Sequence, residues 1–331
     1  MTLSKSPWRR VAATVLAMLL VLLIAASYRF AASRGVFASV EDKSPAACHT
    51  VAGISEVTAM VPVYGGETNG AFVATKDGGL FLWTSGTTTR VSGMSKGSRA
   101  MAMSLDWENG RVGVLQALMA RAKNSYYVAS LHVTPLPDKH SIAVQEIGRL
   151  TTDQLTDPAD LVALDGGRFY LVNCHTSHTG LGRWLDDSLL LPRAEILYFD
   201  GMKFVKVAER LNSPAGLALS ADGSRLFVAQ GLPRNIIAFS RNDFVGSLDD
   251  AVLTDLPAAA GKMMLAADGS LIVAATPKRG TGAVYRVPVA NGVLQTPELL
   301  YSTTTEEVTA AAEAGGHLLI GTPTKLIDCP K

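Results

Sequence analysis

One phrase recurs along the chain: an apolar run, a turn of the form Asp-Gly-small, then a second apolar run. It is read at Asp77-Gly78-Gly79, Asn109-Gly110-Arg111, Asp165-Gly166-Gly167, Asp222-Gly223-Ser224 and Asp268-Gly269-Ser270, with a degenerate sixth copy at Ala314-Gly315-Gly316. The runs that follow, "LFLWTSG", "VGVLQALM", "FYLVN", "LFVAQ", "LIVAA" and "LLIGTP", are alternating or continuously apolar, the patterns of half-buried and fully buried strands. Asp-Gly and Asn-Gly supply the backbone conformations that tight hairpins need. One hairpin module cannot bury both of its faces, so six of them must pack round a ring. The expected fold class is therefore all-β, a six-bladed β-propeller with about four strands per blade. A β-sandwich would not carry the same turn phrase six times. Second hairpins are legible in "AEILYFDGMKFVKVAERL" and "GAVYRVPVANGVLQTPELLYS", and no helical periodicity is read anywhere in this part of the chain.

The N-terminus differs in kind. Lys5, Arg9 and Arg10 precede an uncharged run from Val11 to Ala26, and Arg29 and Arg34 follow it. Such a run lies between a long signal-peptide core and a short transmembrane helix, and both readings stay open. "IAAS" and "FAAS" are imperfect cleavage sites, so an uncleaved signal-anchor is preferred. The basic flank then keeps the N-terminus inside and the domain outside. The expected organisation is a basic tail and membrane anchor (or signal peptide) over 1–30, a linker over 31–47, and the propeller over 48–331. That arrangement implies a single-pass membrane protein with its propeller on the extracytoplasmic side.

Composition narrows the partners. Thirty Lys and Arg residues against 29 Asp and Glu leave a net charge of +1, which argues against a nucleic-acid partner. The expected partners are the membrane, through the N-terminal helix, and a small apolar ligand in the central tunnel. Of the three cysteines, Cys48 and Cys329 almost bracket the exported part. An oxidising compartment permits a disulfide between them that clasps the first and last blades. Cys174 is then the odd thiol. In "NCHTSH" it sits beside His175 and His178, but adjacent Cys-His chelates poorly and no fourth ligand is evident, so this segment is read as a loop rather than a zinc site.

The residues "DLVALDGGRFYLVN", "AEILYFDG", "AGLALSADGSRLFVAQGLPRNIIAFSRN" and "GHLLIGTPTKLIDC", with the opening "CHTVAGI", resemble the paraoxonase/arylesterase family of six-bladed propellers. Gluconolactonase and strictosidine-synthase-like propellers are more distant relatives. The resemblance runs from about Cys48 to Cys329, clearest from Asp160 onward. It implies calcium-dependent hydrolysis of lactones and aryl esters, with the ion held at the tunnel by carboxylates and asparagine amides and polarising the ester carbonyl.

Position by position the chain departs from that pattern. The family's first glutamate is matched by Glu56 and the acidic residue after it by Val57. The histidine placed as base is matched by Met101, and a later histidine by Thr276. The Asn-Asp pair of the third module is Ala159-Asp160, the asparagine of the fourth is Ala215, and the Asp-Asn pair of the fifth is Gly261-Lys262. Glu56 and Asp160 are the carboxylates left for calcium, too few for an ion that takes about six to eight oxygens. Asp157, Asn173, Asn212 and Asp255 are nearby stand-ins, of which Asn173 is the best placed; each is an ordinary turn or strand-end residue. No cofactor is expected, with calcium possible through the resemblance alone. The tunnel candidates are Glu56, Asp160, Asn173 and Lys262, and Lys262 either takes over the ion's electrostatic role or extends out of the tunnel mouth into solvent. Two functions follow: a tethered propeller with a degenerate calcium site that binds a ligand or acts as a scaffold, or a lactone or aryl-ester hydrolase with a rearranged site.

Overall fold

In the computed structural model, residues 7–45, 47–64, 69–108, 111–122, 125–135, 142–177 and 179–331 are described. Six four-stranded antiparallel sheets make a six-bladed β-propeller. In the fourth blade, for example, the strands are Pro214–Leu219, Arg225–Gln230, Asn235–Arg241 and Leu248–Asp255, from axis to rim. The inner strands are β2 (Val57–Val63), β3 (Arg99–Glu108), β4 (Pro158–Ala163), β5 (Pro214–Leu219), β6 (Ala259–Leu265) and β7 (Ala310–Ala314). Apolar side chains on both faces of these sheets fill the spaces between blades. One cluster runs from Ala59 through Leu115 to Val144 and another from Phe227 through Met263 to Val287. That two-sided burial is why the strands read as nearly continuous apolar runs.

The sixth blade is built from both ends of the chain. Its outermost strand, β1 (His49–Val51), pairs antiparallel with β8 (Leu326–Pro330), His49 opposite Asp328. Beside this pair Cys48 and Cys329 form a disulfide across 281 residues of sequence. Cross-linking a loop that long removes a large entropy from the unfolded chain. It does so at the seam where a ring would otherwise open.

The Asp77-Gly78-Gly79 turn joins the second and third strands of the first blade, whereas the copies at Asp165, Asp222, Asp268 and Ala314 join the first and second strands of theirs. The phrase marks a tight turn wherever one is needed and does not by itself set the phase of a blade. The Asn109-Gly110 turn lies outside the described residues. Part of the expected linker packs on the propeller. Lys43 forms a backbone bridge with Ser302, Ser302 Oγ donates to the Glu41 carbonyl, and Thr304 N donates to Asp42 Oδ1, so residues 41–43 strap onto the outer strand of the fifth blade.

Among the described residues two α-helices accompany the sheets. α1 (Pro7–Ser33) contains Val11–Ala32, apolar and long enough to cross a membrane, with its apolar side chains exposed along its length. α2 (Gly180–Leu189) lies in the connection between the second and third strands of the third blade, and contradicts the expectation of no helix there. Thr179 caps it, accepting from Gly182 N, and Leu190 ends it in a left-handed conformation.

Candidate functional site

Five of the six inner strands open with a β-bulge. The register slips between Val57 and Ala59, Ala100 and Ala102, Pro158 and Asp160, Pro214 and Gly216, and Ala260 and Met263. The extra residues are Thr58, Met101, Ala159, Ala215 and the Gly261-Lys262 pair. Bulges re-aim side chains and concentrate near functional sites. Here they form a ring at one end of the tunnel, and Met101, Ala159, Ala215, Gly261 and Lys262 are among the positions at which the sequence departs from the calcium pattern that the resemblance implies.

The ring is knitted by the protein's own donors and acceptors. Thr58 Oγ1 donates to the Ala100 carbonyl at 2.7 Å, joining the first blade to the second. Thr309 Oγ1 donates to the Val57 carbonyl at 2.7 Å, joining the sixth to the first. Leu217 N donates to Asp160 Oδ2 at 2.9 Å, joining the fourth to the third. Gly216 and Gly261 approach so closely that a Cβ on Gly216 would lie 2.3 Å from the Gly261 carbonyl oxygen. Lys262 then spans from the fifth blade to the third: its Nζ lies 3.1 Å from the Ala159 carbonyl and 3.4 Å from Asp160 Oδ1. Asp160 is 1% exposed. Burial pushes its carboxyl above the ordinary value, and the Lys262 charge and the Leu217 N–H pull the other way.

The remaining candidates are not brought into this ring. Glu56 stands at the start of β2 with φ 51°, its carbonyl accepting from Lys76 N. Its carboxylate turns outward to Lys76 Nζ at 2.9 Å and is 47% exposed. It therefore does not share a site with Asp160, and the expected pair of tunnel carboxylates is a single one. Asn173 is fully buried, but its Nδ2 donates to the Gln154 carbonyl, in the connection from the second blade, and to Glu195 Oε1, and its Oδ1 has no hydrogen-bond partner among the described residues. Asp157 is held by His175 Nδ1 at 2.6 Å and Arg183 Nη1 at 3.1 Å. Asn212 donates to the Leu190 carbonyl, and Asp255 is exposed on an outer strand. Cys174 Sγ lies 2.7 Å from the Pro214 carbonyl, and His178 falls outside the described residues.

These residues do not fit a calcium ion. The one ring carboxylate already accepts from Leu217 N and faces an ammonium. Ala159, Ala215 and Gly261 offer no side-chain oxygen, and among the described residues no three His, Cys, Asp or Glu side chains are grouped to hold a metal.

The sequence raises the expectation of a ligand in the tunnel but singles out none of the residues that wall the space beyond the ring. A cavity of about 630 Å³ occupies the other half of the tunnel, walled by Val61, Met103, Leu161, Leu217, Met263 and Leu265. Tyr64 closes one side, its hydroxyl shared between the Leu265 and Glu313 carbonyls at 3.0 and 2.8 Å. The lining continues onto the turns at Asp165 and Asp222-Gly223, with Arg168, Arg241 and Asp243 at the rim. The mouth thus opens on the face opposite Lys262. The apolar tails of the inner strands were the signal for it, but nothing in their pattern separates a filled tunnel from an open one.

Fold and ring together define a six-bladed propeller whose inner strands open on bulges at one end of the tunnel. The profile of the Arylesterase family matches residues 138–329, and the chain belongs to that family. Among solved structures, regucalcin from Agrobacterium tumefaciens, described as a calcium-binding protein, is similar with a TM-score of 0.56 at 13% identity, over 88% of this chain and 95% of that one. A gluconolactonase from Xanthomonas campestris is similar with a TM-score of 0.53 at 15% identity, over 88% and 98%. A luciferin-regenerating enzyme gives 0.54 at 12%, over 86% and 95%. At these identities the likeness concerns the fold. No curated protein sequence matches the chain.

Proposed function

We propose that the chain is a membrane-tethered, extracytoplasmic propeller that holds a small apolar ligand in its tunnel and does not run calcium-dependent ester hydrolysis. The observation that carries this reading is Lys262, whose ammonium lies within reach of the Ala159 carbonyl and Asp160 at the ring where the family resemblance implies calcium ligands. A fixed cation on a four-carbon stem supplies the positive charge that the buried carboxylate requires. It supplies no open coordination position for a carbonyl or water. The cavity below has apolar strand residues along its walls and polar ones at its mouth, and it is within the usual size range for small-ligand pockets, about 300 to 1,000 Å³. The apolar span of α1 supports the tether, and the Cys48–Cys329 disulfide supports an oxidising compartment outside the cytoplasm.

The alternative, a hydrolase with a rearranged site, draws its support from membership of the Arylesterase family. One experiment separates them. An environment-sensitive apolar dye should bind the purified full chain at one site, and Leu265→Trp, at a half-buried position that lines the cavity, should abolish binding while leaving the fold intact by circular dichroism. Hydrolysis of phenyl acetate or a simple lactone that rises with added calcium and disappears with chelator would overturn the proposal.

A further inference from the structure

α2 wears its amphipathicity inside out for a globular domain. Leu181, Trp184, Leu185 and Leu189 follow one another at helical spacing along one side, and they are 69%, 61%, 38% and 62% exposed. The opposite side is polar and is the side tied down. The Arg183 guanidinium reaches Asp157 Oδ1 and the Thr156 and Ser177 carbonyls. Asp186 is buried and paired with Arg193 Nη1 at 3.2 Å. A surface helix normally turns its apolar stripe to the core. Here the ion pairs hold the stripe outward, and a contiguous exposed apolar patch marks an interaction surface.

What could cover it is indicated by where α1 ends. Arg234 Nη1 donates to the Ala32 carbonyl and Arg234 Nη2 to the Pro277 carbonyl at 2.6 Å. Gly35, at φ 70°, is pressed so tightly on Pro277 that a Cβ would fall 1.9 Å from its carbonyl oxygen. Arg234 and Pro277 lie in the connections between second and third strands of the fourth and fifth blades, and α2 is the same connection in the third. Because every blade has the same path, all three lie on one face of the ring, the face that carries the bulges and Lys262. Beside this junction the rings of Tyr28 and Phe37 stack at 5.3 Å, and Phe37 and Val36 are exposed. Aromatic rings at the end of an apolar span are the usual markers of the lipid headgroup level.

We propose that α2 is a second membrane contact: Leu181, Trp184, Leu185 and Leu189 enter the interfacial layer of the bilayer that holds α1. The propeller then rests on the membrane by its Lys262 face, and the mouth of the 630 Å³ cavity opens to water on the far side. This rests on the tethered reading given above. Tethering by α1, with residues 41–43 strapped to the fifth blade, keeps α2 close to lipid, so four side chains suffice where a free helix of this length would bind weakly.

The test is tryptophan quenching in the full chain reconstituted in nanodiscs, with lipids brominated on the acyl chain near the headgroup. Wild type, Trp184→Phe and Trp8→Phe are compared. The bromolipid quenching lost in Trp184→Phe should show that Trp184 is among the quenched residues, and the loss in Trp8→Phe reads α1 independently. If Trp184→Phe leaves the quenching unchanged while Trp8→Phe lowers it, α2 is off the membrane and the present inference fails with the tether intact. If neither variant changes it, the tether fails as well. A Trp184 emission that is blue-shifted but unquenched by bromolipid, with two chains per disc in a cross-linking assay, would assign the apolar face to a second copy of this chain and overturn the inference.

Discussion

Lys262 and Asp160 stand 102 residues apart in sequence and on non-adjacent blades, yet the ammonium of one lies 3.4 Å from the carboxylate of the other. The pair crosses the tunnel at the ring of bulges. Asp160 is also bonded to Leu217 N, so its carboxylate links the third blade to both the fourth and the fifth.

Removing one member of such a pair leaves the other buried and alone. Lys262→Met is expected to destabilise the protein by about 3 to 5 kcal/mol at neutral pH, the range for a broken buried pair. Adding Asp160→Asn to it should recover most of the loss. Urea unfolding of the single and double variants checks this, and a near-neutral single variant would show that the ammonium is held by solvent instead.

The same carboxylate sets a pH dependence. Burial raises the Asp160 pKa in the folded protein, against the opposing pull of Lys262, so the folded state holds that proton more tightly than the unfolded chain. Its cost is then fully present above the folded value and is relieved as pH falls toward the ordinary carboxylate range. Wild type should gain stability relative to Asp160→Asn as pH is lowered, measured by urea unfolding at stepped pH. A relative loss would mean that Lys262 outweighs burial.

Ring closure predicts a large covalent contribution. Cys48→Ser should cost about 5 kcal/mol, the loop-entropy figure for a closure longer than 100 residues. Thermal unfolding reads this against wild type, and mass spectrometry without reductant should find Cys48 joined to Cys329 and Cys174 outside the bond.

Glu56 gives the opposite expectation. It pairs with Lys76 in solvent, at exposures of 47% and 57%, so Glu56→Ala should change stability by no more than about 1 kcal/mol. A loss several times larger in chemical denaturation would place Glu56 in the tunnel after all.

The comparison of Glu56 with Asp160 shows how far the sequence could be read. Both stand near the start of an inner strand, and one-dimensional pattern treats them alike. Which way each side chain points depends on the local backbone: Glu56 takes a left-handed conformation just before its strand, and Asp160 follows directly after a bulge. Bulges are register events between two strands and leave no mark in either strand alone. The six blades were legible because Asp-Gly turn chemistry is local, and the phase of the first blade was not, because Asp77-Gly78-Gly79 makes an equally good turn between the second and third strands. α2 escaped notice for a different reason. It has only ten residues, two of them glycines, and its apolar stripe at Leu181, Trp184, Leu185 and Leu189 was too short to stand out from the surrounding loop. Thr179, a capping residue just ahead of that stripe, was the signal that could have located it.

The account turns on whether the charge at the ring belongs to a lysine or to an ion. Thermal unfolding of the purified full chain in calcium and in chelator decides it, because a ligand bound only by the folded state raises the melting temperature. The prediction is that wild type melts at the same temperature in both. A rise with calcium that Asp160→Asn abolishes would contradict it, and would put a metal where the structure has Lys262.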